Sequence, residues 1–137
     1  MTAPTPAGHR VVEHTADVRI ESWGPTRDAA LTEAVTALAD SYAQWRPNAS
    51  RVDAVVGLEA GSDDEMLVAV LDAAVFLADA RGLVAVAVRV TTRAATFACL
   101  PVSAVEIVGA APKGISWNDL VCARTADGWR CAATVDV

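Results

Sequence analysis

Lysine is almost absent from this chain: Lys113 stands alone among 11 Lys plus Arg. Basic residues are scarce overall, since these 11 face 17 Asp plus Glu and leave a net charge of −6. A protein that grips a phosphate backbone unaided needs a basic surface to release counterions, so autonomous nucleic-acid binding is not expected. Cysteine is equally sparse. Cys99, Cys122 and Cys131 are odd in number, lie in apolar segments and form no Cys-x-x-Cys pair. Neither a disulfide framework nor a zinc site is indicated, and inert core thiols are the expectation. Long apolar runs are missing too. The most apolar stretch, Met66 to Ala78, is interrupted by Asp72 and falls short of the roughly 18 apolar residues a membrane helix needs. The segment Met1–Arg10 has no apolar core of a secretory signal, so a cytoplasmic chain with a flexible lead over 1–9 is expected. No Gly-rich phosphate loop, His-x-x-x-His helix, Gly-x-Ser-x-Gly elbow or Cys-His-Asp set is found, which removes support for an ordinary hydrolase or nucleotide-binding fold.

What is present is core material. With 137 residues, 53% of them hydrophobic, and a mean hydropathy of +0.33, the chain suits a single domain, here 10–137, rather than a disordered state. Val11 to Glu13 and Asp17 to Trp23 are strand-like, the second alternating Val18, Ile20 and Ser22 against Asp17, Arg19, Glu21 and Trp23. Thr26 is a candidate N-cap, and Leu31, Val35, Leu38, Tyr42 and Trp45 keep helical spacing until Pro47, predicting an amphipathic helix near 26–45. Arg51 to Ala60 reads as a strand. Ser62-Asp63-Asp64-Glu65 is a capping box opening a second helix, 63–81, that ends at Gly82 in a left-handed cap. Strand composition follows over 83–92, 96–102, less clearly 105–108, then 115–124 and 129–137, with Asp127-Gly128 as a type I′ hairpin turn. This order predicts an α+β fold: a single two-layer domain with two helices covering one face of a mostly antiparallel sheet.

Three places carry candidate chemistry. Asp136 is followed by Val137, whose α-carboxylate would add oxygen ligands, and parity places Asp136 on the strand face of Arg130 and Thr134. If the last strand lies beside the second, Asp17 and Asp136 meet on one polar face and can bind Ca²⁺ or Mg²⁺ through carboxylate and carbonyl oxygens; the alternative is a pair of solvated acids at strand ends. Lys113 precedes Gly114 at the start of a strand, where it can contact a phosphate or an acid as a compact point charge, or simply be solvated. His14 can bind metal or catalyse, but a histidine before Thr15-Ala16-Asp17 also serves to hydrogen-bond a turn, and that structural role is favoured.

With these residues assembled, the chain resembles the archease family. Val12-Glu13-His14-Thr15-Ala16-Asp17-Val18 is similar to that family's His-Thr-Ala-Asp signature, Asp64 through Leu83 to its second helix, and Gly128-Trp129-Arg130 through Val135-Asp136-Val137 to its closing strand. Two departures are visible. Lys113-Gly114-Ile115-Ser116-Trp117-Asn118 stands where the family usually has Lys-Ala-Val-Thr-Tyr-His, so lysine, hydroxyl and aromatic persist and the histidine does not; Asp72-Ala73 replaces a common Asn-Glu. The resemblance implies a protein cofactor, not itself an enzyme, that activates a GTP-dependent RNA-splicing and repair ligase acting in tRNA splicing, by promoting guanylylation of the ligase histidine and multiple turnover. RNA would be met only through the ligase. By the same resemblance Asp17, Asp136 and Val137 hold a divalent cation, Ca²⁺ first with Mg²⁺ or Mn²⁺ as alternatives. Lys113 serves ligase activation, with His14, Ser116 and Asn118 as supporting positions. Two other classes remain open: a general chaperone or assembly factor without metal chemistry, and a free-standing metal-dependent phosphoesterase.

Overall fold

The computed structural model describes residues 6–13 and 17–137. Its elements run β1 (Gly8–Glu13), β2 (Asp17–Gly24), α1 (Arg27–Asp40), β3 (Ala43–Gln44), β4 (Val52–Gly57), α2 (Asp63–Arg81), β5 (Leu83–Val90), β6 (Ala94–Pro101), a 3-10 turn (Val102–Ala104), β7 (Glu106–Ile107), β8 (Gly114–Thr125) and β9 (Gly128–Asp136). Every pairing among the described residues is antiparallel, and two helices pack against the sheets, the α+β arrangement expected. Gly8 and His9 belong to β1 rather than to a flexible lead.

The second helix follows from its ends. Ser62 Oγ accepts the amide of Glu65 at 3.1 Å, and three acids occupy the first turn, where they oppose the helix dipole. Glu65 reaches back to the amide of Gly61, 2.6 Å away, instead of that of Ser62, a one-residue displacement of the usual box. At the other end Gly82 adopts φ 62° and caps Ala78 and Leu77 carbonyls, a conformation that costs a Cβ-bearing residue.

The first helix is shorter than its periodicity. Thr26 Oγ caps Ala29, but the helix stops at Asp40, and Ser41 turns its hydroxyl onto the carbonyl of Leu38 at 2.6 Å. Tyr42 and Trp45 therefore lie beyond the helix. Tyr42 joins a smaller core with Ala39, Ala43, Val84, Val86 and Leu100, and Trp45 packs on its edge. Helical spacing of apolar residues continued after the backbone had left the helix, because β3 and β7 pair there and take the weak 105–108 segment into a two-residue strand.

The strands form three sheets rather than one, ordered β1-β2-β9-β8, β3-β7 and β4-β6-β5. Helix α1 packs against β1, β2 and β9 of the first sheet and β5 of the third, while α2 contacts β8 and β5. Between them lies the main core, with Ile20, Leu31, Leu67, Leu71, Leu77 and Phe97 essentially inaccessible. At its edge β5 offers free backbone groups to α1 in place of a further strand. Thr32 Oγ1 donates to the carbonyl of Val88 (2.6 Å) and accepts its amide (3.1 Å), and Thr36 Oγ1 donates to that of Val86 (2.7 Å). These bonds satisfy edge groups that burial under a helix would otherwise orphan.

The closing hairpin also differs from its expected form. Thr125 pairs with Gly128, so the turn is Ala126-Asp127, neither of which has positive φ; a type I′ turn needs positive φ at both central positions. Gly128 instead sits after the turn at φ 152°, where a Cβ would fall 2.3 Å from the Gly24 carbonyl oxygen. Shifting the turn one residue earlier resets the whole register of β8 against β9.

Candidate functional site

The alternation of β2 is as the sequence reads it. Val18, Ile20 and Ser22 are buried, and Asp17, Arg19 and Glu21 face the other way. β9 is its neighbour, and Asp17 stands directly opposite Asp136 in the ladder. Opposed residues of an antiparallel pair share a face, with Cβ atoms about 4.5–5.5 Å apart. Two carboxylates are thus set side by side at one end of the sheet, and directly opposed like charges repel. On the next rung of that face Arg19 Nη1 donates to Thr134 Oγ1 at 3.1 Å, which places a fixed positive charge beside the acids.

Lys113 arrives from the other flank. Its amide donates to the carbonyl of Asp136 at 2.7 Å, and the following Gly114 pairs with Asp136. The side chain is exposed, and among the described residues it makes no ion pair. This meeting depends on an irregularity in β8. Val121 pairs with Ala132 and Ser116 with Thr134, so the four residues Trp117–Leu120 lie opposite Ala133 alone. In the register of the upper hairpin Asp136 would face Trp117; the bulge moves Lys113 and Gly114 to it instead. Asp119 takes φ 55° in the bulge, one of the few residue types to visit that region without a glycine.

The remaining expected positions divide. Ser116 is one rung from the acids, opposite Thr134, and its Oγ accepts the amide of Asn118 at 3.1 Å, opening the bulge. Asn118 itself is on the exposed bulge, and Trp117 beside it is 62% exposed. Val137 directly follows Asp136 and is half-buried. His14, Thr15 and Ala16 lie outside the described residues. Two contributors were missed from sequence: Arg19, whose place on the face of Asp17 was legible from parity, and the exposed Trp117, whose bulge no pattern announced.

Among the described residues no group of three or more His, Cys, Asp or Glu side chains is gathered for a metal ion. Asp17 and Asp136 provide two carboxylates, and main-chain oxygens at Asp136 and Val137 lie alongside in sequence. An all-oxygen donor set of this kind fits a hard cation such as Ca²⁺ or Mg²⁺ and not zinc. Residues 9–137 match the profile of the Archease protein family. The chain belongs to the archease family. It is 39% identical over 137 residues to the "Probable protein archease" of Mycobacterium tuberculosis, strains CDC 1551 and H37Rv, covering 97% of this chain and 76% of that protein. Its fold is similar to the solution structure of Methanobacterium thermoautotrophicum protein 1598 (TM-score 0.71, 13% identity, 95% of this chain and 99% of that one). A crystal structure of an archease, possible chaperone, from Thermotoga maritima shares the fold as well (TM-score 0.64, 18% identity, 92% and 94% coverage). Among the described residues of this archease no helix is long and apolar enough to cross a membrane.

Proposed function

We propose that this archease is a protein cofactor of a GTP-dependent RNA-splicing ligase, promoting guanylylation of the ligase histidine and repeated turnover from a divalent-cation site at Asp17, Asp136 and Val137. The supporting observation is convergence: Asp17, Asp136 and Lys113, remote in sequence, meet at one end of the β2-β9-β8 ladder. Asp17 and Asp136 would hold the cation, with the main-chain oxygen of Val137 as a further ligand. A cation held there would supply charge neutralisation at phosphate oxygens, as phosphoryl and nucleotidyl transfer require. Arg19 limits the repulsion between the two acids before the cation is bound. Lys113, exposed and held at its backbone, presents an ammonium to a phosphate or to an acid of the ligase. Trp117 on the bulge offers an apolar contact beside it. The net charge of −6 favours approach to a partner made basic by its own need to bind RNA and GTP.

A second reading, a chaperone without metal chemistry, is favoured by an apolar cleft of about 290 Å³ between the helices and the β7 segment, with Tyr42, Val75, Val84 and Ile107 on its walls. Transfer of radiolabel from GTP to purified ligase separates the two. Asp17→Ala should abolish the stimulation under the cofactor reading and preserve it under the chaperone reading. GTP or RNA turnover by this chain with no ligase present would favour a phosphoesterase instead.

A further inference from the structure

All three cysteines are buried, but they are not equivalent. Cys99 lies in the third sheet, where burial, helped by Asp53, pushes its thiol up to about 11. Cys122 and Cys131 are directly opposed on β8 and β9, and their sulfurs are 3.5 Å apart. Opposed antiparallel residues have Cα atoms about 4.5–5.5 Å apart, within the span of about 4.4–6.8 Å that disulfides bridge. Closing the sulfurs to bonding distance, about 2.05 Å, needs side-chain rotation and no strand movement. The pair is also held in place: the Cys122 amide donates to Asp64 Oδ1 at 2.8 Å, which ties β8 to the start of α2.

We propose that Cys122 and Cys131 form an oxidation site at which a hydroperoxide makes a cross-strand disulfide, while Cys99 stays a thiol. One thiol of the pair attacks the peroxide, a sulfur–oxygen bond forms as the oxygen–oxygen bond breaks, and water or an alcohol leaves with that thiol's proton. The second thiol then attacks that sulfenic sulfur, the sulfur–sulfur bond forms, and the hydroxyl departs with the second thiol's proton as water. Two thiols are oxidised by two electrons and one peroxide is reduced. Either thiol lies close enough to the other, at 3.5 Å, to resolve a sulfenic acid formed on it. Cys122 is 6% and Cys131 1% exposed, which admits a small oxidant more readily than a bulky disulfide.

The test treats the folded protein and its Cys99→Ser variant with hydrogen peroxide, then alkylates under denaturing conditions and reads intact mass. The wild type should fall from three alkylated thiols to one, with a Cys122–Cys131 linked peptide and recovery of all three after dithiothreitol. Cys99→Ser should fall from two to none. Three thiols surviving in the wild type, oxygen added without a crosslink, or Cys99 in the linkage would each overturn the assignment.

Discussion

Replacing Asp136 by Asn should strengthen the metal-free protein and remove its response to calcium. Asp17 and Asp136 are directly opposed, and like charges on such positions cost about 0.2–1 kcal/mol. Arg19 beside them and the exposure of Asp136 keep the cost toward the lower part of that range, as screening by salt does. Asn preserves the side-chain volume and deletes the repulsion. In chelator the variant should therefore melt at or slightly above the wild type, by up to about 4 °C for a domain of this size. Calcium reverses the order. At a concentration about 100-fold above its dissociation constant the wild type gains about 2.7 kcal/mol, whereas a variant left with one carboxylate gains little. Scanning calorimetry in EDTA and in millimolar Ca²⁺, at two ionic strengths, reads both effects. An Asn variant that is less stable in EDTA and keeps the full calcium response would refute the idea that these acids form a repelling pair relieved by a shared cation.

His9 stands between Glu33 (3.1 Å) and Asp40 (2.6 Å); burial lowers its pKa, but hydrogen bonds to the two carboxylates outweigh this and raise it. Its stabilisation is present below the unfolded value of about 6.5 and is lost as pH rises through the higher folded value. Melting curves from pH 6 to 8.5 should show this loss, and His9→Gln should flatten it. Thr32→Val strips both bonds from Val88 and should cost about 1–3 kcal/mol, with faster amide exchange at Val88. Equal stability and exchange would show that β5 needs no tether to α1. Lys113→Ala keeps the amide bond to Asp136, so its melting temperature should stay within a few degrees while ligase turnover falls severely. Lys113→Arg should rescue it only in part, since a planar guanidinium replaces a compact ammonium.

Features set by neighbouring residues were legible in the sequence. Ser62 and Gly82 bound α2 at the residues expected, because caps are local chemistry. The polar face of Asp17 followed from alternation, but its contact with Asp136 needed β9 beside β2, a long-range pairing that no local pattern contains. Tyr42 and Trp45 misled because apolar periodicity reports burial, and the second small core buries Tyr42 outside the helix as well as a helix would. The hairpin shows how far one residue reaches. A turn centred on Asp127-Gly128 sets Cys131 opposite Arg124, whereas the observed Ala126-Asp127 turn sets it opposite Cys122. Within the same strand, the bulge at Trp117–Leu120 then brings Lys113 to Asp136, a register change that composition does not encode.

Whether this archease serves a ligase is read directly from multiple-turnover ligation of broken RNA by a purified GTP-dependent ligase with the archease present in substoichiometric amount. Many joined RNAs per ligase are expected with the wild type, and stalling after about one round with Asp17→Ala or Asp136→Ala, both still folded by circular dichroism. Full turnover with either variant, or no stimulation by the wild type in the presence of Ca²⁺, Mg²⁺ or Mn²⁺, would exclude a cofactor role that works through these two acids.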